Sequence, residues 1–183
     1  MQPRNGRRPR PPVDGERLNE LALHYVGKYA TTRAKLTSYL RRKLRERGWE
    51  GAGEPPIEEL VARFARSGLV DDAAFALSKS RSLSERGYGD GRLRQALHAA
   101  GVEESDAAPA RELAAEEAAR SALRFARRRR IGPFAQAKPD PKAREKALAA
   151  MIRAGHRFDL ARRLVDCEPG QELDPEELAS NNC

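Results

Sequence analysis

Residues 87–102 read Gly87-Tyr88-Gly89-Asp90-Gly91-Arg92-Leu93-Arg94-Gln95-Ala96-Leu97-His98-Ala99-Ala100-Gly101-Val102. Three glycines in five residues force a turn. The run that follows places Leu93 and Leu97 one helical turn apart, and Gly101 stops it by offering a left-handed residue at the helix end. Leu40, Leu44 and Gly48 upstream keep the same four-residue steps, and so do Ala147, Met151 and Gly155 downstream. The copies are offset by 53 and 54 residues, and a period of that size marks a tandem array. The expected fold is all-α: three copies of one small helical unit.

Composition agrees with thin helical layers. Hydrophobic residues make up 39% of the 183 and charged residues 34%, and alanine supplies much of the apolar share. Such a chain suits stacked helices better than one deep core. No apolar run reaches the roughly 20 residues of a membrane span, and the Arg/Pro-rich start is no secretory signal, so a cytoplasmic protein is expected. Cys167 and Cys183 make neither a disulfide framework nor a zinc spacing.

The net charge of +8 points to a polyanionic partner or an acidic protein surface. Residues 27–48 hold eight basic side chains (Lys28, Arg33, Lys35, Arg41, Arg42, Lys43, Arg45, Arg47) against Glu46 alone. Residues 120–146 hold ten against Asp140 and Glu145. From Asp166 onward there are six acids and no base. Segregation of this kind is expected when one face of an array meets an anion, although solvated helices are often as charged.

Taken in order, residues 1–15 are expected to be a disordered Arg/Pro-rich arm. A first three-helix repeat, 16–70, carries Leu18, Leu21, Ala22, Tyr25 and Tyr29 at helical spacing. A threonine of Thr31-Thr32 then caps a helix through Leu36, Leu40 and Leu44, and Ile57, Leu60, Val61 and Phe64 mark a third helix ending at Gly68. Trp49 is expected to fold over the preceding helix end. The second repeat, 71–110, starts on Asp71-Asp72 as a cap, and its third helix is short or broken because Pro109 falls inside it. The third repeat, 111–166, has Asp140-Pro141 as a helix start and Phe158, Ala161, Leu164 and Val165 as its last helix. Residues 167–183 read as a flexible acidic tail that could fold back over a basic face.

Catalytic chemistry is not indicated. His24, His98 and His156 form no motif, and the glycines before Arg92 lack the Lys-Ser/Thr of a phosphate-binding loop. No metal, cofactor or enzymatic activity is expected.

Gly68-Leu69-Val70-Asp71-Asp72-Ala73-Ala74-Phe75-Ala76, Ser80-Arg81, Arg86-Gly87-Tyr88-Gly89 and Arg92-Leu93-Arg94-Gln95-Ala96-Leu97 up to Gly101-Val102 together resemble the central signature of the RecX family. The likeness is tight over Gly68–Val102 and looser over Leu18–Gly48 and Arg120–Val165. It implies an elongated, curved array of three tandem three-helix, helix-turn-helix-like repeats. It further implies a monomer that docks in the groove of the RecA recombinase filament on single-stranded DNA and mostly inhibits strand exchange and ATP hydrolysis. Position in the motif makes Arg81, Arg86, Arg92 and Arg94 the candidate contacts to RecA or DNA. Charge alone adds Arg33, Arg41, Arg42 and Arg45 in the first repeat and Arg127, Arg128, Arg129 and Arg130 in the third. The alternative is a stand-alone basic helical protein that binds DNA or RNA phosphates.

Overall fold

Asp14, Thr32 and Asp140 each turn a side-chain oxygen onto a backbone N–H three residues ahead, at Arg17, Lys35 and Ala143, over 2.8, 3.2 and 2.7 Å. These caps start three of the ten α-helices found among the described residues, 11–179, of the computed structural model. The helices are α1 (Gly15–Lys28), α2 (Arg33–Arg47), α3 (Ile57–Arg66), α4 (Asp72–Glu85), α5 (Asp90–Ala99), α6 (Glu104–Glu116), α7 (Ala118–Arg129), α8 (Pro141–Arg153), α9 (Phe158–Asp166) and α10 (Pro175–Ala179), with a 3-10 turn at Gly132–Phe134. No strand occurs among the described residues, and the all-α tandem three-helix design holds. The chain divides into an N-terminal unit, Met1–Asp72, and a C-terminal unit, Ala73–Cys183.

In the N-terminal unit, Leu18, Ala22, Leu36 and Leu40 are sealed from solvent together with Ile57, Leu60, Val61 and Phe64 of α3. Truncating a leucine buried this way costs about 2–5 kcal/mol. Gly48, at φ 82°, ends α2 with its N–H on the Leu44 carbonyl. Trp49 packs on the same core and donates through Nε1 to the Gly53 carbonyl at 2.9 Å. Gly68 closes α3 at φ 73°, after which Val70 is buried and Leu69 is half exposed.

Part of the expected disordered arm is built into this unit. Val13 is fully buried, donates to the Gly48 carbonyl and accepts from Glu50 N–H, each at 3.0 Å. A single valine among prolines and arginines has no periodicity to reveal it. Residues 1–10 lie outside the described residues. Asp72, the first residue of α4, turns its carboxylate to α2, accepting from Arg33 N–H at 2.9 Å and from Arg33 Nε at 3.3 Å.

The C-terminal unit holds the second and third three-helix groups. Pro109 does not break α6, which runs for 13 residues across the expected 110/111 boundary. Proline there removes one N–H bond, while Ala107, Ala110 and Ala114 keep one face of the helix in the alanine-rich core. Ser80, fully buried on α4, donates to the Ala110 carbonyl at 2.9 Å.

The glycines of the opening stretch do more than turn the chain. Gly89 N–H and Gly91 N–H donate to the carbonyls of Ala154 and Gly155, both at 3.0 Å, so the start of α5 is bonded to the end of α8. A Cβ on Gly89 would lie 2.3 Å from the Gly155 oxygen, and Gly155 itself sits at φ 93°. Each position therefore admits glycine alone.

Around α7 to α9, Met151, Ala161 and Leu164 are fully buried, but Phe158 is more than half exposed and does not join the packed face of α9. The tail expected to be flexible is folded over 167–179. Leu178 is buried in the core of α7 and α9, Leu173 packs beside it, and Gly170 N–H donates to the Pro133 carbonyl at 2.9 Å. Two leucines supply the driving force that the segment's acidic composition hides.

Candidate nucleoprotein-binding surfaces

The middle arginines do not form one cluster. Arg86 and Arg92 place their guanidinium carbons 5.5 and 6.0 Å from the Tyr88 ring. Arg128 reaches the same corner, donating to the Arg86 carbonyl at 2.7 Å while lying over Phe125. Arg94 turns away to pair with Asp90 at 3.1 Å, and Arg81 is exposed on α4 with no ion pair among the described residues. A cation over an aromatic face is held loosely, about 0.5–1 kcal/mol at exposed sites, and stays available to an anion.

In α7, Arg127 lies over Phe134 at 5.0 Å and Arg129 over Phe125 at 5.9 Å. Arg130 ends the helix in the left-handed conformation, φ 55°, where glycine is usual. The four successive arginines are all exposed, whereas Arg124 one turn earlier is spent on structure. It donates to the Ser84 carbonyl and to Glu117 at 2.9 and 3.0 Å, and this bond and one from Arg120 hold the Glu117 carboxyl below its usual pKa.

In the N-terminal unit, Arg33 is tied to buried Asp72, and Arg41 pairs with Glu58 at 2.7 Å, which lowers the Glu58 pKa. Arg42 lies 3.8 Å from Glu46, and Arg45 is exposed with no ion pair among the described residues. Sequence reasoning missed a cleft of about 540 Å³ between α1 and α2, lined by Tyr25, Lys28, Tyr29, Tyr39, Arg42, Lys43 and Arg47 among others. Its signal was present: Tyr25 and Tyr29 stand one turn apart, and Tyr39 adjoins the Arg41-Arg42-Lys43 run.

A larger cavity, about 650 Å³, opens in the C-terminal unit beside Asp90, Arg94, Arg111, His156 and Leu178. His156 is 5% exposed; its Nε2 lies 3.1 Å from the Gly87 carbonyl, and burial pushes its pKa down to about 4. The Nε2 atom therefore carries the proton and donates to that carbonyl. The described residues contain no group of three or more His, Cys, Asp or Glu placed to hold a metal ion. Cys167 is a free thiol bonded to the Arg163 carbonyl, its pKa raised by burial, and Cys183 lies outside the described residues. No helix among the described residues is long and apolar enough to cross a membrane.

Fold and surface define a tandem three-helix-domain protein with exposed arginines in both units. Residues 71–110 match the model of the RecX second three-helix domain. Over 177 residues the chain is 34% identical to regulatory protein RecX of Myxococcus xanthus, covering 91% of this chain and 92% of that one. Identity to regulatory protein RecX of Agrobacterium fabrum is 29%, over 79% of each. The crystal structure of RecX from Lactobacillus salivarius superposes with a TM-score of 0.60 at 18% identity, over 82% of this chain and 93% of that one, which shows the shared fold. The chain belongs to the RecX family, whose members here are named regulatory proteins.

Proposed function

We propose that this protein binds the RecA recombinase and its filament on single-stranded DNA, and restrains strand exchange and ATP hydrolysis by occupying the filament groove. It acts as a cytoplasmic monomer, without cofactor and without chemistry of its own. The observation that carries this reading is the family relationship across 91% of the chain. Supporting it, each unit offers exposed cations. Arg81, Arg86, Arg92, Arg127, Arg129 and Arg130 are the leading contacts in the C-terminal unit, with Arg42 and Arg45 in the N-terminal one. Arg33, Arg94 and Arg128 already serve partners within the fold and contribute less.

Exposed guanidinium groups suit both DNA phosphates and acidic protein surfaces. The test is RecA ATP hydrolysis on single-stranded DNA with the protein titrated in. Suppression at substoichiometric amounts is expected. Loss of hydrolysis only in proportion to DNA withdrawn would instead indicate a stand-alone nucleic-acid binder.

A further inference from the structure

Three tyrosines of the N-terminal unit form a ladder along the α1–α2 cleft. Tyr25 is stacked on Tyr39, ring centroids 4.2 Å apart and planes 15° from parallel, and Tyr29 leans on Tyr25 at 5.3 Å and 52°. Cations surround the ladder: Lys28 Nζ lies 5.5 Å from the Tyr29 ring, and Arg42 and Lys43 lie 5.7 and 5.8 Å from Tyr39. Arg47 also lines the cleft, and its Nε is buried with no hydrogen-bond partner. Among the described residues, no carboxylate lines this cleft. The nearby Glu46 is engaged by Lys43 at 2.6 Å and Arg42 at 3.8 Å, which leaves Lys28 and Arg47 without an ion pair among the described residues.

Packing explains two of the rings and not the third. Tyr25 and Tyr39 rest against the leucine core, whereas Tyr29 is 49% exposed and outside it. An aromatic face left open beside unpaired cations matches the two needs of an unpaired nucleotide: a surface for the base and counter-charge for its phosphates. A duplex cannot use that face without unstacking a base.

We propose that this cleft binds single-stranded DNA, with one base stacked on Tyr29 and its flanking phosphates neutralised by Lys28 and Arg47. The proposal rests on the reading of the chain as acting at a DNA-bearing filament, and its test omits the recombinase so that the two can fail separately. Fluorescence anisotropy of the full chain with a short labelled oligothymidine, an abasic strand of equal length and a duplex provides that test. Tyr29→Ala is expected to weaken oligothymidine binding roughly tenfold. Tyr29→Phe should retain it, and neither variant should change affinity for the abasic strand or the duplex. Trp49, the single tryptophan and a member of the same unit, reports through its emission that the variants are folded. Equal oligothymidine affinity of Tyr29→Ala and the parent, or equal affinity of the parent for abasic and oligothymidine strands, would overturn the proposal.

Discussion

The two units use arginine differently. Among the described residues of the C-terminal unit, three arginines donate to backbone carbonyls: Arg124 to Ser84, Arg128 to Arg86, and Arg163 to Leu178 and Glu177, at 2.7–3.1 Å. Ser84 and Arg86 mark the end of α4, where helix carbonyls lack partners of their own. In the N-terminal unit, by contrast, Arg33 and Arg41 of α2 meet carboxylates, Arg42 meets a carboxylate and the Tyr39 ring, and Arg45 is exposed. The cores differ in parallel. The N-terminal core is closed mainly by leucine, isoleucine, valine and phenylalanine side chains, while the C-terminal cores interleave such side chains with alanine faces and add backbone touching backbone at Gly89, Gly91 and Gly155. Small side chains let helices approach closely, and the exposed turns are then tied down by long cationic ones. A run of arginines therefore signals binding in one context and architecture in another.

The sharpest way to break this comparison is at the glycine contact. Gly155→Ala places a Cβ about 2.3 Å from the Arg92 nitrogen at a positive φ. It is expected to destabilise the C-terminal unit by about 3 kcal/mol or more. Thermal unfolding followed by circular dichroism should show the loss, while Trp49 emission should still report a folded environment in the N-terminal unit. A variant as stable as the parent would refute the account of that contact.

Acid should act on the same place. His156 is held neutral by burial, with a pKa near 4 against an ordinary 6.5. Above pH 6.5 the ring is neutral in both folded and unfolded chains, so stability there is complete. As pH falls from 6.5 to 4 the unfolded chain alone takes up the proton, and roughly 3 kcal/mol is lost over that window. Urea unfolding at stepped pH measures this, and His156→Gln should flatten the slope.

Smaller effects separate tied from untied arginines. Arg128→Ala should cost about 1 kcal/mol by releasing the Arg86 carbonyl, whereas Arg129→Ala should change stability by less than about 0.5 kcal/mol. Equal costs measured in urea would mean that the bond to the carbonyl contributes nothing.

These distinctions mark the limit of what the sequence discloses. Helices α1–α5 and α7–α9, a threonine cap at Thr31-Thr32, the Asp140 cap and the stops at Gly48, Gly101 and Gly155 were legible because spacing and local propensity agree there, whereas Pro109 masked α6. Val13 and the Leu173–Leu178 segment were not, since isolated apolar residues in charged stretches gain meaning only from the core they reach. The candidate arginines could be named from charge and motif. Their division into tied and available groups depends on which carbonyl or carboxylate each one finds, and sequence spacing does not encode that. The tyrosine cleft was overlooked for a related reason: Tyr25 and Tyr29 satisfy an apolar stripe, and only the exposure of Tyr29 sets it apart.

The most direct measurement compares the parent with an Arg86→Glu/Arg92→Glu variant in the RecA hydrolysis titration on single-stranded DNA. The account predicts suppression by the parent at substoichiometric amounts and its loss in the variant. Equal suppression by both proteins, or none beyond DNA withdrawal, would contradict it.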